Sequence, residues 1–236
     1  LYTCIVYNVY MSNTNLTKSI IITGCSWGAG VWSNDHLSYR IIHGGISQML
    51  TDHGYNVINL SQPGSDNWGL LSPLDAALRV NPHHNIVNVF FIQTDIMRSP
   101  LRTRAISEIN DLYIDLYTKL NQIGIENNMV IDLIGGLTDV TVDLTIFKHL
   151  NLVCQSWSQL IDSTLPLTPV TDCRVLEEAI RYTNFLPKEK LMLLTESALA
   201  RMDFIKDNQN WFYPDGKHPN KQAHQLLFEH IKKHVN

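Results

Sequence analysis

Short apolar runs that end in glycine or turn residues alternate along this chain with longer stretches of helical periodicity. A β-α order with apolar strands calls for a parallel sheet whose two faces are both covered by helices. The run 19–24, SIIITG, is too short for a helix and reads as a buried strand. Further strands are expected at 55–60 (YNVINL), 85–93 (NIVNVFFIQ) and 128–136 (NMVIDLIGG), with a shorter fifth at 150–157 (LNLVCQSW). The 85–93 run is long and apolar enough to be central. Leu37, Ile41, Ile42, Met49 and Leu50 recur at helical spacing, with Gly44–Gly45 as a weak spot. Ser72–Pro73 forms an N-cap and first-position pair for a short helix through Leu78. Ile106, Ile109, Leu112, Leu116 and Leu120 mark an amphipathic helix, and Leu191, Leu194, Ala198, Met202 and Ile205 another. Asn220 is placed to cap a last helix carrying Ala223, Leu226, Leu227 and Ile231.

A chain of 236 residues suits one domain of generous size. Residues 1–18 are expected to be an N-terminal extension and 19–236 a single domain. An irregular excursion around 158–186 carries several prolines and little periodicity. With 44% hydrophobic residues the chain can fill a core. A net charge of -4 without a basic run argues against binding nucleic acid through counterion release. No stretch reaches the apolar length of a membrane span. The apolar first ten residues lack a basic n-region and a small-residue cleavage site, so a cytoplasmic location is expected, with Met11 a candidate natural start. The four cysteines show no C-x-x-C spacing and the ten histidines no H-E-x-x-H, so no metal site is expected. Oligomeric state is not legible.

Ligands of parallel α/β sheets bind outside the carboxyl ends of the strands. The loops 24–30, 61–67, 93–98 and 213–219 therefore matter most. The first holds GCSWGAG, and three chemistries compete with a plain turn for it. A phosphate loop would need a lysine after the glycines, and Gly24, Gly28 and Gly30 have the wrong gaps for a dinucleotide fingerprint. An anion at a helix start stays open as a minor option. Gly24-Cys25-Ser26-Trp27-Gly28 formally matches the G-x-S-x-G elbow, but that elbow belongs well inside its fold, after several strands. The third chemistry draws on YPDGKHP, near the other end of the chain. A nucleophilic serine needs a base, and the base needs a carboxylate to fix its tautomer and stabilise the imidazolium. Asp215 and His218, three residues apart in one proline-stiffened loop, can supply both.

A first-strand Gly-x-Ser with a late Asp-x-x-His before a terminal helix resembles the SGNH (GDSL-type) hydrolases. The resemblance runs from Ser26 to His218 and implies a three-layer α/β/α, flavodoxin-like fold with a parallel sheet of about five strands. It implies a serine esterase acting on a small-molecule ester through an acyl-enzyme, with no cofactor. Ser26 falls on the family's nucleophile, Asp215 and His218 on its acid and base. Gly64, in SQPGSDN, resembles the glycine whose N–H lines the oxyanion hole beside the N–H of Ser26. Three departures stand out. Cys25 replaces the usual Asp before the serine. In IQTD, Ile92 replaces a glycine, and Thr94 stands where the family has its oxyanion-donating Asn, followed by Asp95. A threonine hydroxyl has a shorter reach than an amide, and losing one oxyanion donor costs roughly 10²–10³ in rate, so a slow enzyme or a rebuilt hole is expected. Gln93 could compensate only from the opposite face of its strand.

Trp27, Asp95 and Arg98 are the substrate-pocket candidates, although Trp27, like Trp32, reads first as a packing residue beside the first helix. Arg98, Arg102 and Arg104 suit either an anionic substrate or a solvated basic face. Met97, Tyr113 and Tyr117 read as packing residues. Two functional classes stay open. One is an esterase, for instance one that removes a carbohydrate O-acetyl group, with an acyltransferase as its variant. The other is a catalytically weak relative that binds a ligand at the same place.

Overall fold

In the computed structural model the described residues are 18–30, 32–34, 39–41, 44–80, 85–94, 109–136, 139, 140, 142–163, 204, 206–213 and 218–235, with backbone alone at 32–34, 39–41, 109 and 110. Five strands form one parallel sheet: β1 (Ser19–Thr23), β4 (Asn56–Asn59), β5 (Ile86–Gln93), β6 (Ile131–Gly135) and β7 (Leu150–Cys154). Two short strands, β2 (Trp32–Asn34) and β3 (Tyr39–Ile41), pair antiparallel in a separate two-stranded sheet. Among the described residues the helices include α1 (Gly45–Asp52), α2 (Leu71–Val80), α3 (Ile109–Asn127), α4 (Trp157–Ile161) and α5 (Lys221–Ile231).

The sheet order is β4-β1-β5-β6-β7. Counting only its own strands, that is 2-1-3-4-5, the flavodoxin-like order, so the expected α/β sheet is the observed one. The chain leaves β1 to one side, returns past it and continues on the other side. The switch point therefore lies between the carboxyl ends of β1 and β5, which are neighbours with Thr23 opposite Phe91.

Both faces of the sheet are buried, which is why its strands are apolar runs rather than alternating ones. Ile21, Val89, Phe91 and Leu133 point to one face and pack with Leu74 of α2 and Leu116, Tyr117 and Leu120 of α3. Ile20, Ile22, Phe90, Ile92 and Ile134 point to the other and pack with Ile46 and Leu50 of α1, Trp157 of α4, and Leu227, Phe228 and Ile231 of α5. Each such side chain, fully buried, contributes about 1.5–3 kcal/mol.

The central placement of 85–93 is observed, since β5 has a parallel neighbour on each side. The terminal helix begins where expected. Asn220 caps α5, its side-chain oxygen accepting from the N–H of Gln222 and Ala223 at 2.9 and 3.1 Å.

Three local expectations are corrected. The 37–50 stretch is not one helix: Tyr39–Ile41 is a strand and α1 starts only at Gly45. Gly45 has φ +54°, and a Cβ there would lie 2.8 Å from the Cα of Gly30 and 2.7 Å from the His224 ring, so the Gly44–Gly45 pair begins the helix instead of being spanned by it. Ser72 and Pro73 are the second and third residues of α2 rather than its cap and first residue. Proline is tolerated there because the N–H groups of a helix's first turn have no intrahelical partner. The run 150–157 ends as a strand at Cys154, and Ser156 caps α4 by accepting from the N–H of Gln159, so the stretch expected to be irregular opens with a helical turn and a half. Residues 1–17, the excursion beyond 163, Leu37, Ile42, Ile106 and Leu191–Met202 lie outside the described residues.

Candidate active site

The turn after β1 carries Ser26. Cys25 is the first residue past the strand's closing Gly24, and its carbonyl accepts from the N–H groups of Gly28 and Ala29, both at 3.1 Å. That winds residues 25–29 into a single helical turn at the end of the sheet. The turn lies close on its neighbours. A Cβ on Gly24 would stand 3.0 Å from the Cβ of Ile92, and one on Gly28 2.5 Å from the Ser61 hydroxyl. Glycine at both places lets the turn approach β5 and the loop after β4. Ser26 is left 8% exposed.

The loop after β4 runs alongside this turn. Leu60 N–H donates to Ile22 C=O at 2.7 Å and Gln62 N–H to Gly24 C=O at 2.8 Å, which extends the pairing beyond the strands. The amide of Asn59 ties the two loops further, donating to the Gly28 carbonyl at 3.0 Å and to the Ser47 hydroxyl at 2.6 Å. Gln62-Pro63-Gly64-Ser65 is a β-turn closed by Ser65 N–H to Gln62 C=O at 3.1 Å. Pro63 in its second place and Gly64 at φ +76° in its third are the type II arrangement. Gly64 thus sits exposed, two residues past the last bond to the turn that carries Ser26.

His218 comes from the far end of the chain. Its carbonyl accepts from Tyr213 N–H at 2.9 Å, Phe212 and Pro219 form an antiparallel bridge, and Asn220 N–H donates to Trp211 C=O at 2.9 Å. The loop is therefore pinched at its base, immediately before the capped start of α5. The result is a direct contact: the Nε2 of His218 lies 3.0 Å from the Oγ of Ser26, across 192 positions of sequence. That is hydrogen-bond distance, the spacing that a nucleophilic serine and a general base would need.

Thr94 stands one residue past β5 and is buried. Gln93 does not share its surroundings. Its side chain faces α3, where it donates to the Asp139 carbonyl at 3.1 Å and accepts from the Tyr117 hydroxyl. Burial pushes the Tyr117 phenol well above its usual range, which keeps it a neutral donor. Trp27, a pocket candidate, is 6% exposed and packs edge-on to Trp157 at 5.2 Å and against Phe212 at 6.1 Å. It holds the core together beside the site. Asp95, Arg98, Met97, Arg102, Arg104 and Asp215 lie outside the described residues.

Two residues were missed by sequence reasoning, Asn59 and Asn67. Asn67 is fully buried, and it clasps the Thr94 backbone. Asparagine at a strand end or in a loop signals a turn, and nothing in the sequence names a partner 27 or 31 residues away.

Fold and site together define a doubly wound α/β protein with a serine–histidine pair at the switch point of its sheet. No family model and no curated relative matches the sequence. Among solved structures the chain is similar to the crystal structure of TesA, at 15% identity and a TM-score of 0.46, covering 92% of this chain and 97% of that one. It is similar to the psychrotrophic esterase EstA from Pseudoalteromonas sp., at 16% identity, a TM-score of 0.46 and coverage of 92% and 97%. It is also similar to a lipase/acylhydrolase from Enterococcus faecalis, at 15% identity, a TM-score of 0.46 and coverage of 93% and 98%.

Proposed function

We propose that residues 19–236 form a single SGNH-type serine hydrolase domain that cleaves a small carboxylic ester through an acyl-enzyme. The observation that carries this reading is the 3.0 Å contact between His218 Nε2 and Ser26 Oγ at the switch point of the sheet. A turn serine and a loop histidine have no structural need of each other, and a base within hydrogen-bond reach is what turns a hydroxyl into a nucleophile.

His218 takes the proton of Ser26 as Oγ attacks the ester carbonyl. The carbonyl oxygen, now negative, is met by the N–H groups of Ser26 and Gly64 with Thr94 as a third donor. The intermediate collapses, and the alcohol leaves with the proton held on His218 Nε2. Water then attacks the acyl group, giving its proton to the same nitrogen, and Ser26 is released with the carboxylic acid. Asp215 is assigned the carboxylate that orients Nδ1 of His218. Asp95 and Arg98, just past Thr94 in sequence, are assigned to the substrate side. A carbohydrate O-acetyl or another short acyl ester is the substrate class proposed.

Hydrolysis of p-nitrophenyl acetate and butyrate by wild type, Ser26→Ala and His218→Ala tests the reading. Activity in wild type that falls by 10³ or so in both variants supports it. Activity unchanged in Ser26→Ala contradicts it. A folded wild type with no turnover favours a ligand-binding relative or a transferase that demands its own acceptor.

A further inference from the structure

The Asn67 side chain is fully buried and makes two bonds to one residue. Its Nδ2 donates to the Thr94 carbonyl and its Oδ1 accepts from the Thr94 N–H, both at 2.8 Å. The N–H and C=O of a residue belong to the two successive peptide planes that flank its Cα. Gripping both fixes φ and ψ together, and with them the direction in which the Cα–Cβ bond leaves the chain.

Thr94 is where such a grip is needed. The pairing of β5 with β6 ends at Gln93 opposite Gly135, and that with β1 ends at Phe91 opposite Thr23. Thr94 is the first residue the sheet no longer holds, yet its backbone is buried and its polar groups need partners. Asn67 takes the place of a neighbouring strand for one residue. It also sits three positions past Gly64, so one loop carries a proposed oxyanion donor and the clasp on the other.

We propose that Asn67 is a positioning residue for the reaction: it sets Thr94, and the loop bearing Gly64, in the geometry that receives the oxyanion. This rests on Ser26 being the nucleophile. The role accounts for how a threonine stands where a longer amide donor would be expected, since a short side chain acts only if its backbone is held rigidly in place. Misplacement of a catalytic donor by about 1 Å costs on the order of 10² in rate.

The test compares Asn67→Ala with Asn88→Ala. Asn88 is a buried amide at the opposite end of the same strand, donating to Asp132 at 2.9 Å and to the His234 carbonyl at 3.0 Å, far from Ser26. Tm is measured for both, then kcat and KM on p-nitrophenyl acetate well below the lower Tm. The expected result is a kcat lowered about tenfold to a hundredfold in Asn67→Ala with KM within about twofold, and wild-type kcat in Asn88→Ala whatever its Tm. If Asn67→Ala does not fold, Asn67→Ser carries the same comparison. Wild-type kcat in the Asn67 variant, or an equal fall in Asn88→Ala, overturns the role of Asn67 and leaves Ser26 standing. A wild type as inert as Ser26→Ala overturns both.

Discussion

The indole of Trp157 meets that of Trp27 edge to face, with ring centroids 5.2 Å apart and planes at 85°. Trp27 is the neighbour of Ser26 in the turn after β1. Trp157 starts α4 and donates from its Nε1 to the Ala223 carbonyl of α5 at 3.1 Å. One buried ring thus links the turn that carries Ser26 to the helix that begins just after His218. Replacing it with alanine leaves a cavity and removes a donor, so Trp157→Ala is expected to cost about 3–5 kcal/mol. Trp157→Phe keeps an aromatic edge and is expected to cost less. Urea unfolding of the three proteins checks the order.

Asn220 works on the other side of the pair. Its side chain caps α5 and also donates to the Asn210 carbonyl at 2.6 Å, closing the base of the loop that holds His218. Asn220→Ala is expected to cost about 1 kcal/mol in stability, the usual worth of a cap. If His218 is the base, as proposed, it should also lower ester hydrolysis several-fold, because His218 stands two residues before Asn220. Asn220→Asp keeps the cap and loses only the donated bond, so its stability should lie between. Thermal unfolding and initial rates on the same preparations separate the two effects.

Two glycines with positive φ should respond differently to alanine. At Gly64 a Cβ meets nothing within 4 Å, so only the left-handed backbone resists, at about 1–2 kcal/mol, and the N–H is kept. At Gly45 the same backbone cost adds to a Cβ pressed on Gly30 and the His224 ring, and overpacking brings about 1–3 kcal/mol more. Gly45→Ala should therefore be the less stable variant. Equal denaturation midpoints would contradict the close contact of α1 with the end of the Ser26 turn.

Elements governed by local pattern were legible in the sequence. β5 is a long apolar run, and Asn220 stands immediately before a helical face. Ser26 and His218 were legible as a pair because their residue types and chain order carry a chemistry. What escaped depended on partners distant in sequence. The 37–50 periodicity looked helical until the Gly44–Gly45 pair, pressed by Gly30 and His224, set the helix start. Asn67 looks like any loop asparagine until Thr94 is seen against it. Gln93 was placed on the far face by strand alternation, and its bonds to Asp139 and Tyr117 agree.

Cys154, near the end of β7, offers a test of how well this side of the core is closed. Burial pushes its thiol up from 9.0 to about 12. Below pH 9 the thiol is protonated in both folded and unfolded chains. Above it the unfolded thiol ionises while the folded one stays neutral, so stability is fully present below pH 9 and falls as pH rises toward 12. At pH 8 the thiolate is scarce and the sulfur buried, so native Cys154 should resist iodoacetamide and react once the chain is unfolded. Peptide mapping reads the outcome, and rapid labelling of the native protein would contradict the closed core.

The proposed hydrolase depends on His218 making Ser26 a nucleophile. Labelling with a fluorophosphonate, followed by mass spectrometry of the intact protein and its peptides, tests it most directly, since no choice of ester enters. The prediction is one phosphonyl group per chain, located on Ser26, absent in Ser26→Ala and strongly slowed in His218→Ala. A folded wild type that takes up no label, or takes it on another residue, would contradict the claim.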